Sequence, residues 1–175
     1  WDIRWSNHTF ALPFALYTQW VGEDEGGGLP AKYAGQFGGE TWGGITGLGT
    51  YRIYLEWADT TCNFALYKGS EKQVPNCEYN NGTYRTGYRY RGRSLAQSYD
   101  NDSSVFSLGT MLTDNNNHSW LLKLGYGTLN SIGGPDQRNT VAQVKTDYRE
   151  ILLTHRRDFR FRDFSLGALH MGLGY

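Results

Sequence analysis

No stretch of this 175-residue chain reaches the ~18 consecutive apolar residues that a membrane-spanning helix requires, and its mean hydropathy is negative at −0.59. A helical span is therefore excluded. Charge of one sign is missing too: 17 basic and 17 acidic residues cancel, so no global field draws the chain to nucleic acid or to an anionic membrane surface. Also absent are long helix-period stretches rich in Ala, Leu, Glu and Lys, which leaves an all-β protein. Cysteine is scarce. Cys62 and Cys77 have no zinc-ligand spacing around them, so they are either a disulfide made in an oxidising compartment or two unrelated thiols. As a disulfide they would close a loop of ~15 residues, worth roughly 3 kcal/mol in the chain-entropy picture.

What the chain does have is aromatics, at 15%, and 23 glycines. Six segments alternate apolar and polar residues with a period of two, and Trp, Tyr and Phe gather near their ends. The clearest runs from Trp120 to Gly127, with Trp120, Leu122, Leu124 and Tyr126 on one face and Lys123, Gly125 and Gly127 on the other. In Tyr51 to Trp57 the apolar set is Tyr51, Ile53, Leu55 and Trp57, opposite Arg52, Tyr54 and Glu56. Such strands suit a transmembrane β-barrel, which crosses with ~10 residues per strand and needs only its outer face apolar.

Along the chain, a strand end at Trp1 to Trp5 leads through Ser6-Asn7-His8 into a long strand from Thr9 to Val21, with Pro13 tolerable at a bulge. Gly22 to Pro30 reads as an acidic, glycine-rich loop, and Lys32 to Trp42 as the next strand. Asp59 to Ser104 is the longest irregular stretch and holds both cysteines. Strands at Val105 to Thr113 and Ser119 to Leu129 flank the polar turn Asp114 to His118. A second long loop, Asn130 to Lys145, precedes strands at Tyr148 to His155 and Phe161 to Tyr175. Connections thus alternate short and long, as in outer-membrane barrels with short periplasmic turns and long extracellular loops. With turns at Asn7, Gly47, Asn116 and Arg157 on the periplasmic side, the loops at Glu25, Cys62 to Ser104 and Ser131 to Val144 face outside, and the last strand climbs toward the exterior. Residues 1–175 are therefore expected to be part of a single barrel domain, cut at both ends.

Several stretches also match known wording. His8 to Ala15, Gly22-Glu23-Asp24-Glu25, Leu29 to Tyr33, Glu56 to Cys62, Asn76 to Asn80, Gly87 to Arg93 and Asp100 to Ser103 occur in order and resemble the capsule assembly family typified by Wzi. That resemblance covers roughly Trp5 to Ser104; beyond Val105 only the strand pattern agrees. It implies the C-terminal part of an outer-membrane β-barrel of about eighteen strands, with about eight present here. It further implies a lectin-like, non-enzymatic role, binding capsular or exopolysaccharide at the cell surface and helping to assemble or anchor it. The implied partners are an acidic polysaccharide and outer-membrane lipid, with no cofactor, no metal, no nucleic acid and a monomeric barrel.

Three constellations are candidates for the contact. Arg85, Arg89, Arg91 and Arg93 interleave with Tyr84, Tyr88 and Tyr90 in the most basic window of the chain. If Tyr88 to Arg93 is extended, Arg89, Arg91 and Arg93 form a ladder of guanidinium forks for sugar carboxylates, while tyrosine faces stack on sugar rings. The bland alternative is a lumen-lining ladder paired with acids such as Glu40 and Glu56. Glu23, Asp24 and Glu25 could hold a bridging cation, although a solvated acidic loop or a salt partner for the arginines is the stronger reading. Asp100 and Asp102 look like a D-x-D pair but lack the glycine and distal glutamate of a calcium loop, which favours an Asx turn. Ser119, His118 and Asp114 could be combined into a catalytic set, as could residues around His155 and His170, yet no nucleophile elbow or other local signature accompanies them. The rival readings are a passive porin, an outer-membrane hydrolase and a soluble β-sandwich.

Overall fold

The computed structural model describes every residue except 10, 11, 27, 28, 63–74, 78, 133, 162, 163 and 175, with backbone only for 23–26, 29–31, 158–161 and 164–170. Eight long strands form one antiparallel meander: β1 (Asp2–Asn7), β2 (Phe14–Gly26), β3 (Leu29–Ile45), β4 (Gly49–Asp59), β7 (Ser104–Asp114), β8 (His118–Leu129), β9 (Thr146–Phe161) and β10 (Phe164–Gly174). A two-stranded hairpin, β5 (Arg89–Tyr90) with β6 (Arg93–Ser94), sits inside the β4–β7 connection. The long strands pair in chain order, so β2, β4, β8 and β10 all run away from the short-turn end. That matches the expected direction of the last strand. Among the described residues β1 and β10 are not paired with each other, and the sheet is open.

Period-two alternation separates the faces as the sequence predicts. The register places Trp5, Leu16, Gly39, Leu55, Leu108, Leu124 and Ile151 in one row across seven strands. Leu55 is 56% exposed, and Ile53, Leu122 and Leu124 also point to open space, with no second sheet against them among the described residues. A soluble sandwich would bury those side chains. The next row carries rings: Phe37 stacks with Trp57 and Trp57 with Phe106, both at 5.9 Å, ahead of Tyr126 in the same row.

The opposite face is polar and paired. Glu40 takes Arg4 on one side and Arg52 Nε at 2.6 Å on the other, Tyr17 donates to Glu56 at 3.0 Å, and Lys123 meets Glu150 at 2.9 Å. Glycines on this face receive rings from neighbouring strands: a Cβ on Gly38 would lie 2.1 Å from the Tyr17 ring, and one on Gly109 would lie 2.2 Å from that of Tyr54. Gly38→Val is expected to push Tyr17 off its glycine and away from Glu56, with overpacking costing about 1–3 kcal/mol. Urea unfolding of the detergent-solubilised protein reads this; an unchanged midpoint would show that the ring is free to move.

Three boundaries differ from expectation. The acidic segment Glu23-Asp24-Glu25 is strand, because β2 and β3 continue their ladder as far as Gly26↔Leu29. Backbone pairing needs no apolar side chain, so a polar, glycine-rich ribbon persists once its register has been set. The first long strand starts at Phe14 instead of Thr9; Asn7 Oδ1 accepts from Thr9 N at 2.7 Å in an Asx turn, and Pro13 lies before the strand. Arg157 lies within β9, paired to Leu169, and the polar His155 to Asp158 run extends the strand instead of turning.

Candidate functional site

The described parts of the two long connections between β4 and β7 and between β8 and β9 fold together into a cap over one end of the polar face. Tyr99 anchors it. Its hydroxyl pairs with Ser107 Oγ at 2.9 Å, its ring meets Tyr148 edge-on at 5.3 Å, and it joins Val105, Leu129 and Ala142 in a small apolar core. Gln97 bonds Gln36 of β3, and Thr60 N donates to Ser103 O at 2.8 Å where the connection leaves and rejoins the sheet. Cys62 and Cys77 are disulfide-bonded, Cα to Cα 6.3 Å.

At the centre of the cap lies a buried salt bridge. Arg89 is 7% exposed and Asp100 0%. Arg89 Nε donates to both carboxylate oxygens of Asp100 at 2.9 and 3.0 Å, Nη1 to Tyr79 O and Asn80 Oδ1, and Nη2 to Asn101 Oδ1. Thr140, from the second connection, adds its N–H at 2.9 Å and its hydroxyl at 2.6 Å to Asp100. Burial alone would raise the Asp100 pKa, but these donors outweigh it and hold the carboxyl below its ordinary range. Asp102 is shifted the opposite way. Burial dominates there and raises its pKa, against donors from Asn76 N and Asn101. Asp136 is lowered: its burial is outweighed by Asn80 and Arg138.

The guanidinium ladder does not form. Arg91 (φ 49°) and Gly92 (φ 74°) both have positive φ, the signature of a tight hairpin turn, so the chain reverses between Tyr90 and Arg93 instead of extending. Arg89 turns into the cap while Arg91 and Arg93 stay exposed, with the Arg91 guanidinium 5.3 Å from the Tyr90 ring centroid. Nor does the lumen-ladder alternative hold for Arg89, whose acid is Asp100. Asp100 and Asp102, both with positive φ and both buried, are structural and cannot meet a polymer from outside. The side chains of Glu23, Asp24 and Glu25 lie outside the described residues. What remains of the predicted set on the surface is Tyr88, Tyr90, Arg91 and Arg93, with Tyr84 and Arg85 beside them.

Sequence reasoning missed Tyr79, Tyr99, Asp136, Asn139 and Thr140. Each is polar or aromatic in an irregular stretch, so periodicity carries no signal for it; only the density of Asp and Asn over 100–102 hinted that these loops were packed. The suggested Ser/His/Asp set also disperses. Asp114 accepts from the backbone N–H of Asn116 and His118, Ser119 pairs with Thr113, and the His118 ring stacks on His155 with Nδ1···Nε2 at 3.0 Å.

Comparison with known proteins adds two findings. A family model described as capsule assembly protein Wzi matches residues 1–168. The chain is also similar to the solved structure of Wzi from Escherichia coli, an outer membrane protein involved in group 1 capsule assembly and a carbohydrate-binding β-barrel. The TM-score is 0.71 at 22% identity, over 95% of this chain and 35% of that one, so the present chain spans about a third of that protein. At this identity the likeness establishes the fold alone, an antiparallel eight-stranded sheet that matches a segment of a β-barrel. No match was found among the curated proteins.

Proposed function

Because the chain belongs to the capsule assembly protein Wzi family, we propose that it is part of an outer-membrane barrel whose capped end faces the exterior and binds capsular or exopolysaccharide, helping to assemble or anchor it. The observation that carries this reading is the exposed apolar row from Trp5 to Ile151 on a single sheet whose other face is lined by paired charges. Hydrocarbon outside and water inside stabilise that distribution, and the aromatic row fits an interfacial girdle. The cap lies at the end opposite the three-residue connections at 46–48 and 115–117, the extracellular end in barrels of this kind.

The role is binding, not turnover. Tyr84, Tyr88, Tyr90, Arg91 and Arg93 offer rings and fork-shaped cations to an acidic polymer. In the Arg91→Ala/Arg93→Ala double variant, affinity for uronate-containing polysaccharide should fall about tenfold at low ionic strength, roughly 1.4 kcal/mol, and much of that difference should vanish in high salt. Arg89 is left intact because it is structural. Equal binding by the variant and its parent would remove the hairpin from the contact. A passive channel on the same architecture predicts ion conductance without carbohydrate affinity, which the same binding assay separates.

A further inference from the structure

Between the cap and the polar face of β2 and β3 lies a half-open cleft of about 370 Å³, within the ~300–1,000 Å³ range of ligand pockets. Gln19 and Gln36 project from the strands, and Gln97, Thr60, Tyr88 and Leu95 complete the walls. Among the described residues none that lines it is charged. The nearby guanidinium of Arg89 sits 5.6 Å from the Tyr79 ring and is committed to Asp100.

The walls are held in place. Tyr88 N donates to Tyr79 O at 3.3 Å, Tyr88 O accepts from Leu95 N at 3.1 Å, and the Tyr88 ring meets Tyr79 edge-on at 6.0 Å. Gln97 N donates to the Tyr79 hydroxyl at 3.1 Å, while the Gln97 carboxamide reaches across to Gln36. Tyr88 nevertheless keeps 41% of its surface open. A carboxamide donates and accepts at once, as a pair of neighbouring sugar hydroxyls does, and an aromatic face accepts the C–H side of a pyranose ring. A carboxylate placed here would lose water and gain no cation from the described lining residues, which disfavours it.

We infer that this cleft is a subsite for an uncharged sugar unit, distinct from the exposed arginine hairpin. The inference rests on the polysaccharide-binding reading above and narrows it: acidic units go to Arg91 and Arg93, neutral ones to the cleft. The test uses the full-length barrel in detergent and a panel of immobilised neutral and uronate-containing oligosaccharides, at low and high ionic strength. Neutral glycans should be captured in a salt-insensitive way. Capture should fall about tenfold or more in Tyr88→Ala and Gln36→Leu and stay near the parent level in Tyr88→Trp, with uronate capture unchanged in Gln36→Leu. Gln19→Leu, an exposed strand position, should reproduce the loss without touching the cap fold. Neutral capture indifferent to all of these variants overturns the subsite. Capture confined to uronates overturns it while leaving the general polysaccharide reading intact, and no capture of any glycan overturns both.

Discussion

Replacing Arg89 with Met is expected to open the cap while leaving the eight-stranded sheet in place. The substitution strands the charge of the fully buried Asp100 carboxylate and removes the guanidinium donors to Tyr79 O, Asn80 Oδ1 and Asn101 Oδ1 together. Leaving a buried charge without its partner costs about 3–5 kcal/mol. That is comparable to the roughly 3 kcal/mol a disulfide closing a loop of this size supplies, so the Cys62–Cys77 bond alone cannot hold the cap shut. Hydrogen exchange of backbone amides across 79–103 should lose protection, with the amides of β7 and β8 unchanged. The double variant Arg89→Met/Asp100→Asn should be less perturbed than the sum of the single ones, since the second change removes the stranded charge. Full protection in Arg89→Met would mean the pair is a bystander.

The same pair sets a pH dependence. Asp100 is held below its ordinary pKa, so its stabilisation is present above the unfolded value and is lost as pH falls through the folded one. Asp102 has the opposite sign: its raised pKa favours the folded cap in the protonated form, a contribution that disappears as pH rises through the folded value. Acidification of the parent therefore weakens the Arg89–Asp100 link, and that part of the acid slope should be missing from Arg89→Met.

Leu124→Arg is expected to have the second large effect, and only in a bilayer. Leu124 stands in the middle of the exposed row, between Leu108 and Ile151. If that row faces hydrocarbon, an arginine near the midplane costs about 2–4 kcal/mol, falling to about 0–1 near the interface. Tyr126→Arg, one row along in the aromatic band and 66% exposed, should therefore cost less. Reversible folding into lipid vesicles measures both. Equal, near-zero costs for the two would place this face in water and remove the barrel's membrane setting.

Much of the sheet was legible because alternation is local. Ile53, Leu55, Leu122 and Leu124 announce their common face through spacing alone, and a strand with one apolar and one charged face has little freedom in its register. Hairpin ends were harder. Glu23 to Gly26 and Arg156 to Phe161 stay in the ladder through backbone bonds that side-chain patterning does not report.

The chain's own wording determined the all-β class, the sidedness of the strands, the two longest connections and the family. The tertiary structure alone decided which of the arginines is buried, which acid it meets, and that the two connections meet through Asp100 with Thr140, 40 residues apart, and Asn80 with Asp136, 56 residues apart. Burying an ion pair is favourable only where every donor and acceptor finds a partner, and those partners lie far away in sequence, where no periodicity or spacing rule can reach. The tight turn at Arg91-Gly92 then left two cations outside and drew one in, which is why a ladder drawn from alternation became a surface hairpin above a buried knot.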